Sequence, residues 1–163
     1  MREPLFGSNP DFNEVTLETL VGVANAIERE SLNRYVALEQ AMRRRGESET
    51  ADAFATMRRE EESHVDAVRE WAQALGEPIP ASTEFQWQLP PELSQSWDDV
   101  IGSSRLTPYR AFAIAVVNEQ RAFALYSYLS AQSASAEVAK HAERLALEEL
   151  RHAAVMRRSS CHA

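Results

Sequence analysis

The sequence predicts an all-α protein, an antiparallel four-helix bundle with one long crossover between helices 2 and 3. Three observations predict it. Glycine is scarce, five in 163 residues, and the chain is rich in Ala, Leu, Glu and Arg, side chains that lose little freedom on a helix. Four long segments repeat their apolar residues at steps of three and four, the period of one helix face. Between the second and third of these segments, Pro78, Pro80, Pro90 and Pro91 interrupt any long helix.

The first helix is expected near 16–45, stopped by Gly46, where a left-handed residue closes a helix cheaply. Ser48 or Thr50 can cap a second helix near 49–75, ended by Gly76 and Pro78. Residues 77–105 then read as the crossover, with at most a short turn between Glu92 and Ile101. Thr107-Pro108 is a strong helix start, with a hydroxyl at the N-cap and proline at the first helical position, and opens a third helix near 107–131. Ser133 or Ser135 caps a fourth near 135–158. Residues 1–15 form an N-terminal extension and 159–163 a frayed tail of a single domain spanning 1–163. Short links within each pair and a long link between pairs give two antiparallel hairpins joined by a crossover.

Each helix carries one core-facing stripe. The first runs through Leu17, Val21, Ala24, Glu28, Ser31, Tyr35, Leu38 and Met42. The second runs through Phe54, Met57, Glu61, His64, Val68, Trp71 and Leu75. The third has Phe112, Ala115, Glu119, Ala122, Tyr126 and Leu129, and the fourth Val138, Ala142, Leu145, Glu149, His152 and Met156. Near its middle, every stripe places a carboxylate. An unpaired carboxylate in a dry core costs several kcal/mol or takes up a proton, so four of them need compensation, and two cations supply it.

The spacing suits that role. Residues at i and i+3 share a helix face, so Glu61 and His64, and Glu149 and His152, can each offer an oxygen and a nitrogen to one metal. Glu28 and Glu119 complete a set of four glutamates and two histidines, the donor set of two-metal carboxylate bundles. One Glu-x-x-His is a weak signal, because Glu60, Glu61 and Glu62 form a charge run of the kind that is usually solvated. Its recurrence at matching depth in two helices, as if a helical hairpin were duplicated, changes the weighing. Glu60 and Glu148 could also reach the histidines, but the apolar phase prefers Glu61 and Glu149. Tyr35 and Tyr126 lie two turns past Glu28 and Glu119, where they either pack in the core or hydrogen-bond a metal ligand.

Other residues carry less. His141 reads as exposed, Cys161 and His162 as part of a frayed end, and Trp71, Trp87 and Trp97 as packing residues, the last two tying the crossover to the bundle. The formal net charge of −8 and the isolated basic cluster at Arg43, Arg44 and Arg45 argue against nucleic acid as a partner. A single cysteine favours a reducing, cytoplasmic compartment. The longest apolar run, Ala111 to Val117, is far too short for a membrane span. A homodimer is the expected assembly.

These segments resemble the rubrerythrin branch of the ferritin-like superfamily. The resemblance is carried by Ala-Ile-Glu-Arg-Glu at 26–30 with Tyr35, Glu-Glu-Ser-His at 61–64, Asn-Glu-Gln-Arg-Ala-Phe at 118–123 with Tyr126, and Leu-Glu-Glu-Leu-Arg-His at 147–152. It implies that Glu28, Glu61, His64, Glu119, Glu149 and His152 ligate two iron ions, with Glu61 and Glu149 bridging, and with zinc or manganese as substitutes. It implies an oxidoreductase acting on peroxide or oxygen, or alternatively an iron-sequestering ferroxidase; a metal-binding bundle with a structural role is the third reading. Rubrerythrins proper carry paired Cys-x-x-Cys motifs that this chain lacks, so an external electron donor is implied. Their extra glutamate on the third helix corresponds to Ala122, and the haem-ligating methionine of bacterioferritins corresponds to Glu62.

Overall fold

A computed structural model describes residues 15–76 and 97–161. All regular structure among them is helical: α1 (Leu17–Arg44), α2 (Ser48–Ala74), the short α3 (Trp97–Gly102), α4 (Pro108–Gln132) and α5 (Ala136–Ser160). The third and fourth long helices expected from the sequence are thus α4 and α5. The short α3 falls where a turn of helix was allowed, and Arg45 ties it down by donating to the carbonyls of Ile101 and Ser103. Trp87 and the side chain of Trp97 lie outside the described residues.

Local chemistry sets most of the boundaries. Thr16, Thr107 and Ser135 sit at N-caps in extended conformation, and their hydroxyls accept from the backbone N–H groups of Thr19, Arg110 and Val138. Gly46 and Gly76 close α1 and α2 at positive φ, 77° and 72°. One expectation fails here. Neither Ser48 nor Thr50 caps α2; Ser48 is already helical, and Glu47 takes the N-cap position with no side-chain bond. The helix resumes at Ser48, directly after the left-handed turn at Gly46, so the N-cap position falls on Glu47, whose own N–H donates back to the carbonyl of Met42. At the other end of the chain, α5 runs two residues past Arg158, to Ser160.

Side-chain pairs fix the directions of the helices. Glu39 meets Arg58, so α1 and α2 form an antiparallel hairpin, and Ser130 meets the carbonyl of Ala139 across the α4–α5 hairpin. Tyr35 reaches Glu119 and Tyr126 reaches Glu28, so α1 and α4 run antiparallel. Glu60 with Arg151 and Trp71 with His141 set α2 antiparallel to α5. The end of α2 and the start of α4 therefore lie at opposite ends of the bundle, the arrangement that requires a crossover. Among the described residues no helix is long and apolar enough to cross a membrane.

The core has two apolar parts with a polar layer between them. One cluster joins Val21, Ala24, Ile27, Val68, Leu125, Leu129, Val138 and Leu145. The other joins Leu38, Met42, Phe54, Met57, Phe112 and Met156, with the Phe54 and Phe112 rings 5.0 Å apart. Each fully buried Leu, Met or Phe contributes roughly 1.5–3 kcal/mol, so these clusters hold the helices together on either side of the buried glutamates.

Candidate metal centre

The six residues expected as ligands meet in that middle layer. Glu28 comes from α1, Glu61 and His64 from α2, Glu119 from α4, and Glu149 and His152 from α5. Five of them are buried, Glu61 and His152 completely, while the His64 side chain keeps 17% of its surface exposed. In each adjacent pair of glutamates, the one in phase with the apolar stripe is the buried one. Glu61 and Glu149 point inward, while Glu60 and Glu148 stand only partly covered.

Both histidines turn Nδ1 toward the carboxylates. His152 Nδ1 lies 3.1 Å from Glu61 Oε1, 3.6 Å from Glu119 Oε2 and 3.9 Å from Glu149 Oε2. His64 Nδ1 lies 3.4 Å from Glu28 Oε2 and 3.9 Å from Glu61 Oε2. Glu61 thus offers one oxygen to each histidine. The two imidazoles stack with centroids 4.9 Å apart. Two groups of three donors lie within 4.8 Å of one another: Glu61, His64 and His152, and Glu119, Glu149 and His152.

The donors are close but unsatisfied. Glu28 Oε2, both oxygens of Glu61, Glu119 Oε2, Glu149 Oε2, and Nδ1 of both histidines are buried without a hydrogen-bond partner. Native cores rarely leave polar atoms in that state, and each costs about 1–3 kcal/mol. So many in one layer, all of types that bind hard or borderline cations, fit a metal site. These buried Glu and His groups can hold a metal ion.

Protonation answers the same shortage of positive charge. Burial pushes Glu61 up to about 8, helped by the neighbouring charges of Glu119 and Glu28. Burial, and then the proximity of Glu119 and the other carboxylates, lifts Glu149 well above the carboxylate range. Burial alone would raise Glu119 too, but the nearby His152 and Glu149, and the hydrogen bond from Tyr35, hold its carboxylate below the usual value. Burial opposes charge on His152, yet Glu119 and Glu61 outweigh it and push the imidazole up to about 10. His64 is raised in the same way against burial, chiefly by Glu28. Without a cation, the layer holds protons in its place.

The residues around the layer are well ordered by bonding. The Tyr35 hydroxyl donates to Glu119 Oε1, and that of Tyr126 donates to Glu28 Oε1 at 3.4 Å. Each tyrosine thus serves the glutamate of the other helix. On the outer side of His152, Nε2 faces Glu60 Oε2 at 3.3 Å, and Arg151 holds that carboxylate at 2.9 Å. Beside Glu119, the nearly buried Arg34 pairs with Glu30 and donates to Asn118 Oδ1 at 2.6 Å.

Sequence reasoning named the two tyrosines but missed Glu30, Arg34, Asn118 and Arg151 as supporting residues. The i, i+4 spacing of Glu30 and Arg34 was an available signal. The role of Glu60 was not, because it depends on a neighbouring helix. His141 is also corrected: it is half-buried, stacked on Trp71 with centroids 4.6 Å apart, since α2 and α5 lie face to face there. Cys161 is exposed at the end of α5, and His162 lies outside the described residues.

No protein-family model matches the chain, and no curated protein does. Among solved structures, an uncharacterized conserved protein from Magnetospirillum magnetotacticum MS-1 is 32% identical, with a TM-score of 0.73. The match covers 88% of this chain and 93% of that one, so it spans the whole bundle rather than a single hairpin. The chain belongs to the conserved protein family of this Magnetospirillum protein.

Proposed function

We propose that the chain is a ferritin-like, rubrerythrin-type two-metal protein, a di-iron oxidoreductase that reacts with peroxide or oxygen and takes electrons from an external donor. One observation carries the reading: four carboxylates and two imidazoles from four helices converge in a dry layer and leave their inner atoms unpartnered. Glu28, Glu61 and His64 would hold one ion and Glu119, Glu149 and His152 the other, with Glu61 and Glu149 shared. Zinc or manganese could occupy the same donors.

Bound iron would supply the two-electron redox chemistry that no side chain here can perform. The chain's own part is orientation and charge. Tyr35 and Tyr126 hold Glu119 and Glu28 by single hydrogen bonds, leaving the second oxygen of each carboxylate free. Glu60 faces the outer nitrogen of His152 and so favours Nδ1 as the donor. Glu61 and Glu149 keep protons that cations would displace, so their charge can follow that of the site. Apolar clusters pack above and below the layer.

The test is stopped-flow mixing of anaerobic, ferrous-loaded protein with peroxide and with oxygen, with and without an added reductant. Oxidation within seconds and repeated turnover with reductant is the expected result. Oxidation without turnover would make iron the substrate, as in sequestration. No change within minutes would leave a structural metal role.

A further inference from the structure

The recurring Glu-x-x-His motif makes His64 and His152 counterparts, but their surroundings differ. A cavity of about 170 Å³ opens beside His64, lined by Glu28, His64, Ala67, Val68, Trp71, Arg144, Leu145 and Glu148. At the counterpart positions, Ala67 becomes Val155, Val68 becomes Met156, and Leu145 becomes Met57. Met57 and Met156 are buried in the apolar cluster beside His152, and Val155 packs against it. Other lining residues are smaller at the counterpart positions, Ser159 for Trp71 and Thr56 for Arg144, but the apolar packing beside His152 leaves that histidine fully buried, while the His64 side chain keeps 17% of its surface exposed.

The carboxylates differ in the same sense. Glu60 is engaged by Arg151 and faces His152. Its counterpart Glu148 makes no ion pair among the described residues and lines the cavity, half-buried. Deeper in the same cavity stand Glu28 and His64, both with an inner atom that has no hydrogen-bond partner. The wall thus carries an unengaged carboxylate beside one guanidinium, Arg144, and beyond them two unsatisfied donors of the kind a divalent cation takes.

We propose that divalent cations reach the centre through the cavity between Trp71 and Leu145, with Glu148 receiving them on the way to Glu28 and His64. This rests on the two-metal reading above. It adds that the donors beside His64 fill and exchange first, and that those around His152 are reached through them.

The test uses cobalt(II) as probe, mixed with the metal-free full-length protein, with uptake followed by visible absorbance. Glu148→Gln and Ala67→Leu are each expected to slow uptake about tenfold, the scale of losing a steering charge or a path, with unchanged final occupancy. Val155→Leu, the counterpart change on the sealed side, is expected to leave the rate as it is. The proposed route is overturned if Glu148→Gln and Ala67→Leu load at the parental rate, or if Val155→Leu slows uptake as much as they do. Should Ala67→Leu fail to fold by circular dichroism, Glu148→Gln decides alone. A parental protein that takes up no cobalt would instead overturn the two-metal reading itself, and the route with it.

Discussion

The Tyr35 hydroxyl donates its hydrogen bond to Glu119, on a different helix, and not to the carboxylate of its own stripe. Tyr126 does the same in reverse toward Glu28, at 3.4 Å. The exchange locks α1 and α4 in register at the level of the buried glutamates. Tyr35→Phe is expected to cost about 1.5–3 kcal/mol of stability, the range for a buried hydrogen bond to a charged group. It should also weaken metal binding roughly tenfold, as loss of an orienting partner does. Tyr126→Phe, with the longer bond, should cost less on both counts. Urea denaturation and metal titration of the two variants check the order.

Metal content should depend on burial rather than on charge alone. Glu119 is buried and has an unpartnered oxygen, whereas Glu62 is paired with Arg58 on the surface and His141 is stacked on Trp71. Glu119→Ala should therefore lower the bound metal from about two ions per chain, while Glu62→Ala and His141→Ala leave it unchanged. Elemental analysis of anaerobically purified protein is the measurement. Equal losses at all three positions would mean that the buried layer is not where metal binds.

The metal-free protein should lose stability as pH rises. Folded Glu61 keeps its proton up to about 8, and Glu149 is raised as well, whereas the unfolded chain releases both in the ordinary carboxylate range. His152 behaves likewise between the usual histidine value and about 10. Each of these contributions is complete below the unfolded value and is lost as pH climbs through the folded one. Glu119, lowered instead, contributes above the usual carboxylate range and loses this only in acid. Melting temperature should fall by several degrees from about pH 5 to about pH 9. Added metal displaces the same protons, so the rise in melting temperature it causes should grow with pH. Scanning calorimetry with and without metal tests both signs.

Gly46 offers a control away from the centre. Its φ of 77° closes the α1–α2 turn, and a Cβ there would meet nothing within 4 Å. Gly46→Ala should cost only the backbone term, about 1–2 kcal/mol, with metal content unchanged. A larger loss by chemical denaturation would point to a contact at this turn that the structure does not contain.

Much of the bundle was legible in the sequence because helical period is a local property. Steps of three and four placed Glu28, Glu61, Glu119 and Glu149 on apolar faces, and the same phase separated Glu61 from Glu60 and Glu149 from Glu148. The hydroxyl caps at Thr107 and Ser135 and the stops at Gly46 and Gly76 were equally local, whereas the cap at Thr16 was read as the first residue of the helix. Tertiary structure decided what depends on a neighbouring helix. The crossed bonds of Tyr35 and Tyr126, the contact of Glu60 with His152, and the stacking of His141 on Trp71 all follow from the antiparallel pairing of α1 with α4 and α2 with α5. So does the difference between an open His64 and a sealed His152. The sequence presents those two histidines in the same motif. Only the packing of the other helices leaves the His64 side chain partly exposed and that of His152 fully buried among the described residues.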